Sequence, residues 1–196
     1  EETAEPVETG MAHEAPELAA MVASGELPPL EERLPTNPYV QEVVEGTGQY
    51  GGTLRRVFTG TGDRIGLGKV THEWLVVLDD TATNVVPNVA ESWEVSSDFT
   101  TYTFKLREGM KWSDGTPFTT DDIIFYWEHV MTDPDVMYDG GGVQAWWRSP
   151  VSDNPATLRK VDDVRFSVTF DDPNPLFPFN LASNRSEMFG QTEIGR

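Results

Sequence analysis

Cysteine is absent from the 196-residue chain, which removes disulfide frameworks, thiolate-bound zinc and thiol nucleophiles together. No apolar run approaches the length of about 18 residues that crosses a bilayer, so direct membrane insertion is not expected. Bases are scarce. Fourteen Lys and Arg stand against 33 Asp and Glu, giving a formal charge of −19 and a pI near 4.3. Nucleic-acid binding needs a basic footprint, so it is excluded, and an anionic membrane surface repels such a chain. The acidity is uneven: residues 1–50 hold eleven Glu and one base, Arg33. Solubility explains that excess more simply than a recruitment tail does.

Catalytic signatures are equally sparse. The three histidines, His13, His72 and His129, form no pair at metal-ligand spacing and no H-E-x-x-H motif. There is no G-x-S-x-G elbow, no G-x-x-x-x-G-K loop and no S-x-x-K. Gly60, Gly62 and Gly66 imitate a phosphate loop, but the lysine is missing and the third glycine arrives one residue late. Asp133, Asp135 and Asp139 lack the spacing and closing Glu of a calcium loop, and a solvated acidic turn accounts for them. Asp121 and Asp122, adjacent on a helix, diverge by about 100° and cannot flank one scissile bond. No catalytic residue, metal or cofactor is therefore expected.

What is present is a sequence with strong local patterning. Residues 1–14 form an acidic lead expected to be disordered. Residues 15–50 begin with a helix from Ala15 to Ser24, carrying Leu18, Met21 and Val22 on one face and stopped by Gly25. The prolines at 28, 29, 35 and 38 then imply an extended strap. Gly51 and Gly52 open a strand over Thr53–Thr59. Residues 71–78 make a short apolar element whose type periodicity leaves open.

Further on, Trp93 and Val95 alternate with polar neighbours, as do Tyr102, Phe104 and Leu106, so these runs read as an antiparallel hairpin. Asp114-Gly115 marks a tight turn. Thr119 is the expected N-cap of a helix carrying Ile123, Tyr126, Trp127, Val130 and Met131 on one face. On that reading Thr119→Ala costs about 1 kcal/mol and Thr120→Ala little. A second hairpin runs from Leu158 to Phe170, turning at Asp162-Asp163, and a short apolar element follows through Leu181. Trp146 and Trp147 fall in a Gly-rich loop, where large aromatics gain little unless a ligand or another surface covers them.

Ala90-Glu-Ser-Trp-Glu-Val-Ser, Tyr102-Thr-Phe-Lys-Leu-Arg-Glu-Gly and Lys111-Trp-Ser-Asp-Gly-Thr-Pro-Phe-Thr-Thr-Asp-Asp, in this order and spacing, resemble the family 5 extracellular solute-binding proteins. These are the dipeptide, oligopeptide and nickel receptors of ABC importers. Lys160-Val-Asp-Asp, Asp172-Pro-Asn-Pro-Leu-Phe and the opening Gly51-Gly-Thr-Leu-Arg fit as well, so the resemblance covers roughly residues 50–182.

The resemblance implies a mixed α/β fold of class II periplasmic-binding-protein type. Residues 51–74 would start lobe I, 75–170 would form an inserted small α+β domain with antiparallel hairpins, and 171–196 would return toward lobe I. The second lobe would lie outside this N-terminal portion, whose signal peptide is absent from these 196 residues. It further implies an exported receptor, periplasmic or extracellular, that captures a peptide or oligosaccharide and hands it to a membrane permease. By position, Thr61, Asp63, Arg64, Ile65, Tyr138, Trp146 and Trp147 would face the ligand cleft. The competing readings are a glycan-acting enzyme domain, which needs a carboxylate pair across a cleft, and a structural or adhesion domain.

Overall fold

The computed structural model describes residues 14–183 except 42, 44, 45, 47, 56, 58, 59, 61–72 and 137–142. The acidic lead, Thr61, Asp63, Arg64, Ile65 and Tyr138 lie outside the described residues.

Alternating side chains build the centre of the molecule. Strands β3 (Ala90–Val95), β4 (Thr101–Leu106), β5 (Thr157–Lys160) and β6 (Arg165–Thr169) form an antiparallel sheet in the order β3-β4-β6-β5. Both expected hairpins are present, with Phe104 opposite both Trp93 and Phe166. On β4, Tyr102, Phe104 and Leu106 turn inward, and Phe166 and Val168 do the same on β6. Period-two alternation puts every second side chain on one face, and that face is the core. The unsettled apolar element supplies β1 (Val76–Leu78), which pairs with β2 (Val85–Pro87) in a separate two-stranded sheet.

Asp114 and Gly115 form the expected turn. Gly115 adopts φ 86°, and the Asp114 carboxylate accepts from the Thr116 N–H and hydroxyl. Helix α3 (Thr120–Tyr126) then starts at a complete capping box. The Asp122 carboxylate accepts from the Thr119 N–H at 2.7 Å, while the Thr119 hydroxyl accepts from the Asp121 N–H at 3.3 Å. The helix continues into a π-turn over Trp127–Met131, closed by the Thr132 N–H donating to the Trp127 carbonyl. Trp127, at the start of this turn, is buried.

Helix α4 (Phe177–Ser183) lies against β1 and β2 and against a short 3-10 turn at Ala145–Trp147. Its Phe177 and Leu181 belong to the same core as the sheet. The packed core therefore runs past residue 170, where the inserted unit was expected to end.

The N-terminal segment docks from outside. Helix α1 (Pro16–Ser24) ends at Gly25 in the left-handed region, as its sequence implied, but buries none of its residues. The Pro-rich stretch contains a helical turn, α2 (Leu30–Arg33), rather than extended chain throughout. From there, Arg107 holds the strap. Arg107 is 7% exposed; its Nε donates to the Asn88 carbonyl and its Nη1 to the Asn37 carbonyl, both at 2.6 Å. Its guanidinium also stands 5.7 Å from the centre of the Tyr39 ring. The Thr36 N–H donates to the Glu108 carbonyl, Asn37 Nδ2 to Glu91, and Lys111 Nζ to the Glu32 carbonyl. Gly109, at φ 82°, leaves room for Thr36, whose Oγ1 would stand 3.3 Å from an added Cβ. The Glu91 carboxylate is held below its ordinary range by donation from Lys105 and then from Asn37.

Two expectations need correction. Thr53, Leu54, Arg55 and Val57 belong to no strand, and Leu54 and Val57 are exposed. A strand requires a hydrogen-bonding neighbour, and no described strand pairs with this stretch. Thr120 is also no bystander. It is fully buried, its hydroxyl donates to the Asp162 carbonyl and its N–H donates to the Asp163 carbonyl. Thr119→Ala is expected to cost about 1 kcal/mol through the lost cap. Thr120→Ala is expected to cost at least as much, roughly 1–3 kcal/mol, because it removes a fully buried side chain and the donor to a part-buried carbonyl. Thermal melts of both variants check the order; a Thr120→Ala protein that melts like the parent would contradict it.

Candidate functional site

The loop carrying the tryptophan pair is pinned at several points. The Trp147 N–H donates to the Gln144 carbonyl at 2.9 Å, and the Ala156 N–H donates to the Trp147 carbonyl at 2.8 Å. Arg148 ties the two arms together, with Nε donating to the Val143 carbonyl at 2.9 Å and Nη1 to the Asp153 carbonyl at 2.8 Å. The buried Ser149 hydroxyl accepts from the Asp171 N–H, which fixes the loop to the end of β6. Asp171 in turn accepts from Asn154 and Ser152, and these donations hold its carboxyl below the ordinary range.

This scaffold separates the two tryptophans. Successive residues of a 3-10 turn point about a third of a turn apart, so Trp146 and Trp147 face different sides, and Gln144 precedes the turn in extended backbone. Trp147 is only 1% exposed. Its ring centroid lies 5.4 Å from Trp127 in a tilted contact and 5.0 Å from Phe177 in an edge-on one, arrangements aromatic cores favour. Trp147 is thus a wall of the core and not an open ligand-facing surface. Trp146 is half-buried, packed against that core from the outside.

Sequence reasoning singled out the pair but missed Gln144 beside it, because a lone glutamine in a loop carries no pattern. It also missed Arg107, whose partners in the strap and at Asn88 are backbone carbonyls that leave no trace in side-chain identity.

Elsewhere, polar clusters have local explanations. Asp79 accepts from Thr81, from the Thr83 and Asn84 N–H groups and from Asn84 Nδ2. Donation by the Asn84 side chain leads the causes that hold its pKa at about 2. Asp121 and Asp122 serve different partners: Asp121 meets Lys160 Nζ at 2.7 Å, while Asp122 takes the Trp112 indole N–H and the Thr119 N–H. They do not converge on a common point where a bond could be cleaved. Among the described residues no group of three or more His, Asp or Glu side chains could hold a metal ion. No described helix is long and apolar enough to cross a membrane.

Residues 84–192 match the profile of the bacterial extracellular solute-binding proteins, family 5 Middle. The chain belongs to that family. It is 33% identical over 174 residues to a periplasmic alpha-galactoside-binding protein of Rhizobium meliloti, spanning 79% of this chain and 24% of that protein. It is 34% identical over 111 residues to the periplasmic oligopeptide-binding protein OppA of Salmonella typhimurium, spanning 52% of this chain and 20% of the relative. Two solved structures superpose on 88% of the chain. One is an oligopeptide-binding protein OppA, with a TM-score of 0.77, 36% identity and 26% of that protein covered. The other is the periplasmic binding protein MelB of Agrobacterium fabrum in complex with stachyose, with a TM-score of 0.71, 32% identity and 29% covered. The chain thus spans about a quarter of the length of these relatives.

The unequal burial of the pair yields a direct expectation. Trp147→Ala should cost about 3–5 kcal/mol by emptying the core beside Phe177, and Trp146→Ala distinctly less. Chemical denaturation of both variants measures the difference. Equal losses would show that Trp147 is not the wall its burial makes it.

Proposed function

We propose that this chain is the N-terminal part of a receptor for an ABC importer. The whole receptor captures a peptide or an oligosaccharide outside the cytoplasmic membrane, in the periplasm or at the cell exterior, and delivers it to a membrane permease. The observation that carries this reading is the superposition of 88% of the chain on both a peptide-binding and a saccharide-binding member of the family. The divergence of Asp121 and Asp122 supports binding without catalysis, since glycoside hydrolysis needs two carboxyl groups facing one bond.

In this reading the function is mechanical: two lobes close on the solute and exclude water, and opening at the permease releases it. The small sheet domain is a rigid shoulder for the first lobe. Thr61, Asp63, Arg64, Ile65 and Tyr138 are assigned to the cleft by their place in the chain, together with the exposed part of Trp146.

A cleft with one wall loses both the contacts and the desolvation that its partner wall supplies. The 196-residue chain should therefore bind solute at least about a hundredfold more weakly than the full-length gene product. Calorimetry of both proteins against stachyose and against trialanine tests this. Equal affinity of fragment and full-length protein, or no binding of either solute by the full-length protein, would refute the two-lobed receptor.

A further inference from the structure

Exposed apolar side chains scattered singly need no explanation, but several gathered on rigid elements at one place do. At the turn of the β3–β4 hairpin, Phe99 is 45% exposed and adopts φ 58°. That left-handed conformation suits Gly, Asn or Asp and is costly for a bulky side chain. The turn is firmly made all the same. The Asp98 carboxylate accepts from the Ser96 hydroxyl at 2.6 Å and from the Thr100 N–H and hydroxyl. The Phe99 carbonyl accepts from the Asn174 N–H at 2.9 Å, which brings the residues leading into α4 beside the turn. Leu176, two residues on, is 64% exposed, and Phe179, one helical turn further, 44%. Val95 opposes Tyr102 across the hairpin, so it lies on the face that α4 covers, and it too is exposed.

Place and charge decide what covers these side chains. The opposite end of the hairpin holds the strap, through Arg107 and Glu108, and pairs Val89 and Ala90 with Trp74 and Leu75. The chain before residue 74 therefore enters there, about 20 Å of strand away from Phe99. The rim is acidic. The Phe170 N–H donates to the Thr100 carbonyl and the Asn174 N–H to Phe99, so Asp171 and Asp172, between them, flank the turn alongside Asp98. Donation from Ser96 to Asp98, and from Asn154 to Asp171, holds both carboxyls below their ordinary range. Residues 93–104, 149–158 and 170–183 contain no Lys or Arg. A second copy would set acid against acid across a two-fold contact, in a chain of charge −19. The occupant that fits is apolar at its centre and basic at its rim.

We infer that Val95, Phe99, Leu176 and Phe179 form a docking surface for the importer's permease, seating apolar permease side chains within a rim of Lys or Arg. The inference rests on the receptor reading, which supplies the permease as the protein partner, and assigns that partner a place on this chain. Phe99 is the anchor: an aromatic ring already fixed outside the core, at a strained φ, gives up little freedom on binding.

The test uses the full-length gene product, loaded with whichever of stachyose and trialanine it binds, and its permease in lipid nanodiscs, with ATP hydrolysis as the readout. Phe99→Asn introduces a residue that tolerates left-handed backbone, and Leu176→Gln alters an exposed position, so the double variant should melt no lower than the parent. Half-maximal stimulation should require at least about tenfold more of the double variant, as loss of two anchors does, with solute affinity unchanged. Parental stimulation by the folded double variant would overturn the docking surface. A double variant that melts well below the parent at full length, but not as the 196-residue chain, would overturn it too, because the rest of the chain would then cover this face. So would a parental dimer that the double variant dissociates, since a second copy would be the occupant. No stimulation by the solute-loaded parent would remove the receptor reading itself and this inference with it.

Discussion

Phe177 is the contact on which the rest of the structure depends. Its ring lies 5.2 Å from Tyr102, 6.3 Å from Phe104, 4.8 Å from Phe170 and 5.0 Å from Trp147, each in a steep edge-on arrangement. Edge-to-face pairs of this kind add about 0.5–1.5 kcal/mol each beyond the area they bury. Through this one side chain, helix α4 joins the inner face of the sheet to the tryptophan loop. The Tyr102 hydroxyl fixes the approach from the other side, donating to the Asn174 carbonyl at 2.7 Å just before the helix. The Asn174 N–H donates back to the Phe99 carbonyl at the tip of the β3–β4 hairpin. The position of Trp147, and therefore of Trp146 beside it, is set by sheet packing together with the loop's own hydrogen bonds.

A second constraint acts at the opposite edge. Arg107 ends β4 as a nearly buried cation, and a buried charge is tolerated only where donors and acceptors surround it. Two carbonyls, one from the sheet domain and one from the strap, accept from it, and the Glu91 carboxylate lies close enough to feel its charge. Without the strap the guanidinium would lose one of those acceptors and the Tyr39 ring. The strap is thereby part of the domain's electrostatic balance, although it comes from 70 residues earlier in the chain.

Much of this fold was legible because the relevant signals are local. Alternation at Tyr102, Phe104 and Leu106 and at Phe166 and Val168 identified the inner strands, and Thr119 with Asp122 identified the helix start. Recognition through motifs such as Lys111 to Asp122 identified the family on residues that are mostly structural. What could not be read depends on partners distant in sequence. Thr53–Thr59 has the composition of a strand, but composition supplies no neighbouring edge. Thr120 looked equivalent to an exposed hydroxyl until Asp162, on the β5–β6 turn, was placed beside it. The π-turn at Trp127 departs from the 3.6-residue period and leaves no periodic signature. Of the expected site, Trp147 proved to be core because Phe177 and Trp127 cover it, which no local feature of the loop announces.

The most direct measurement is native-state hydrogen exchange resolved by residue. If Phe177 joins helix, sheet and tryptophan loop into one cooperative unit, the Asn180 N–H, donating to the Leu176 carbonyl, should exchange with the central strands. So should the Ala156 N–H, donating to the Trp147 carbonyl. Both are predicted to open only with the strand amides of Phe104 and Phe166, with the same free energy and the same dependence on denaturant. Exchange of Asn180 or Ala156 through local opening, hundreds of times faster while the strands stay protected, would contradict the central role of Phe177.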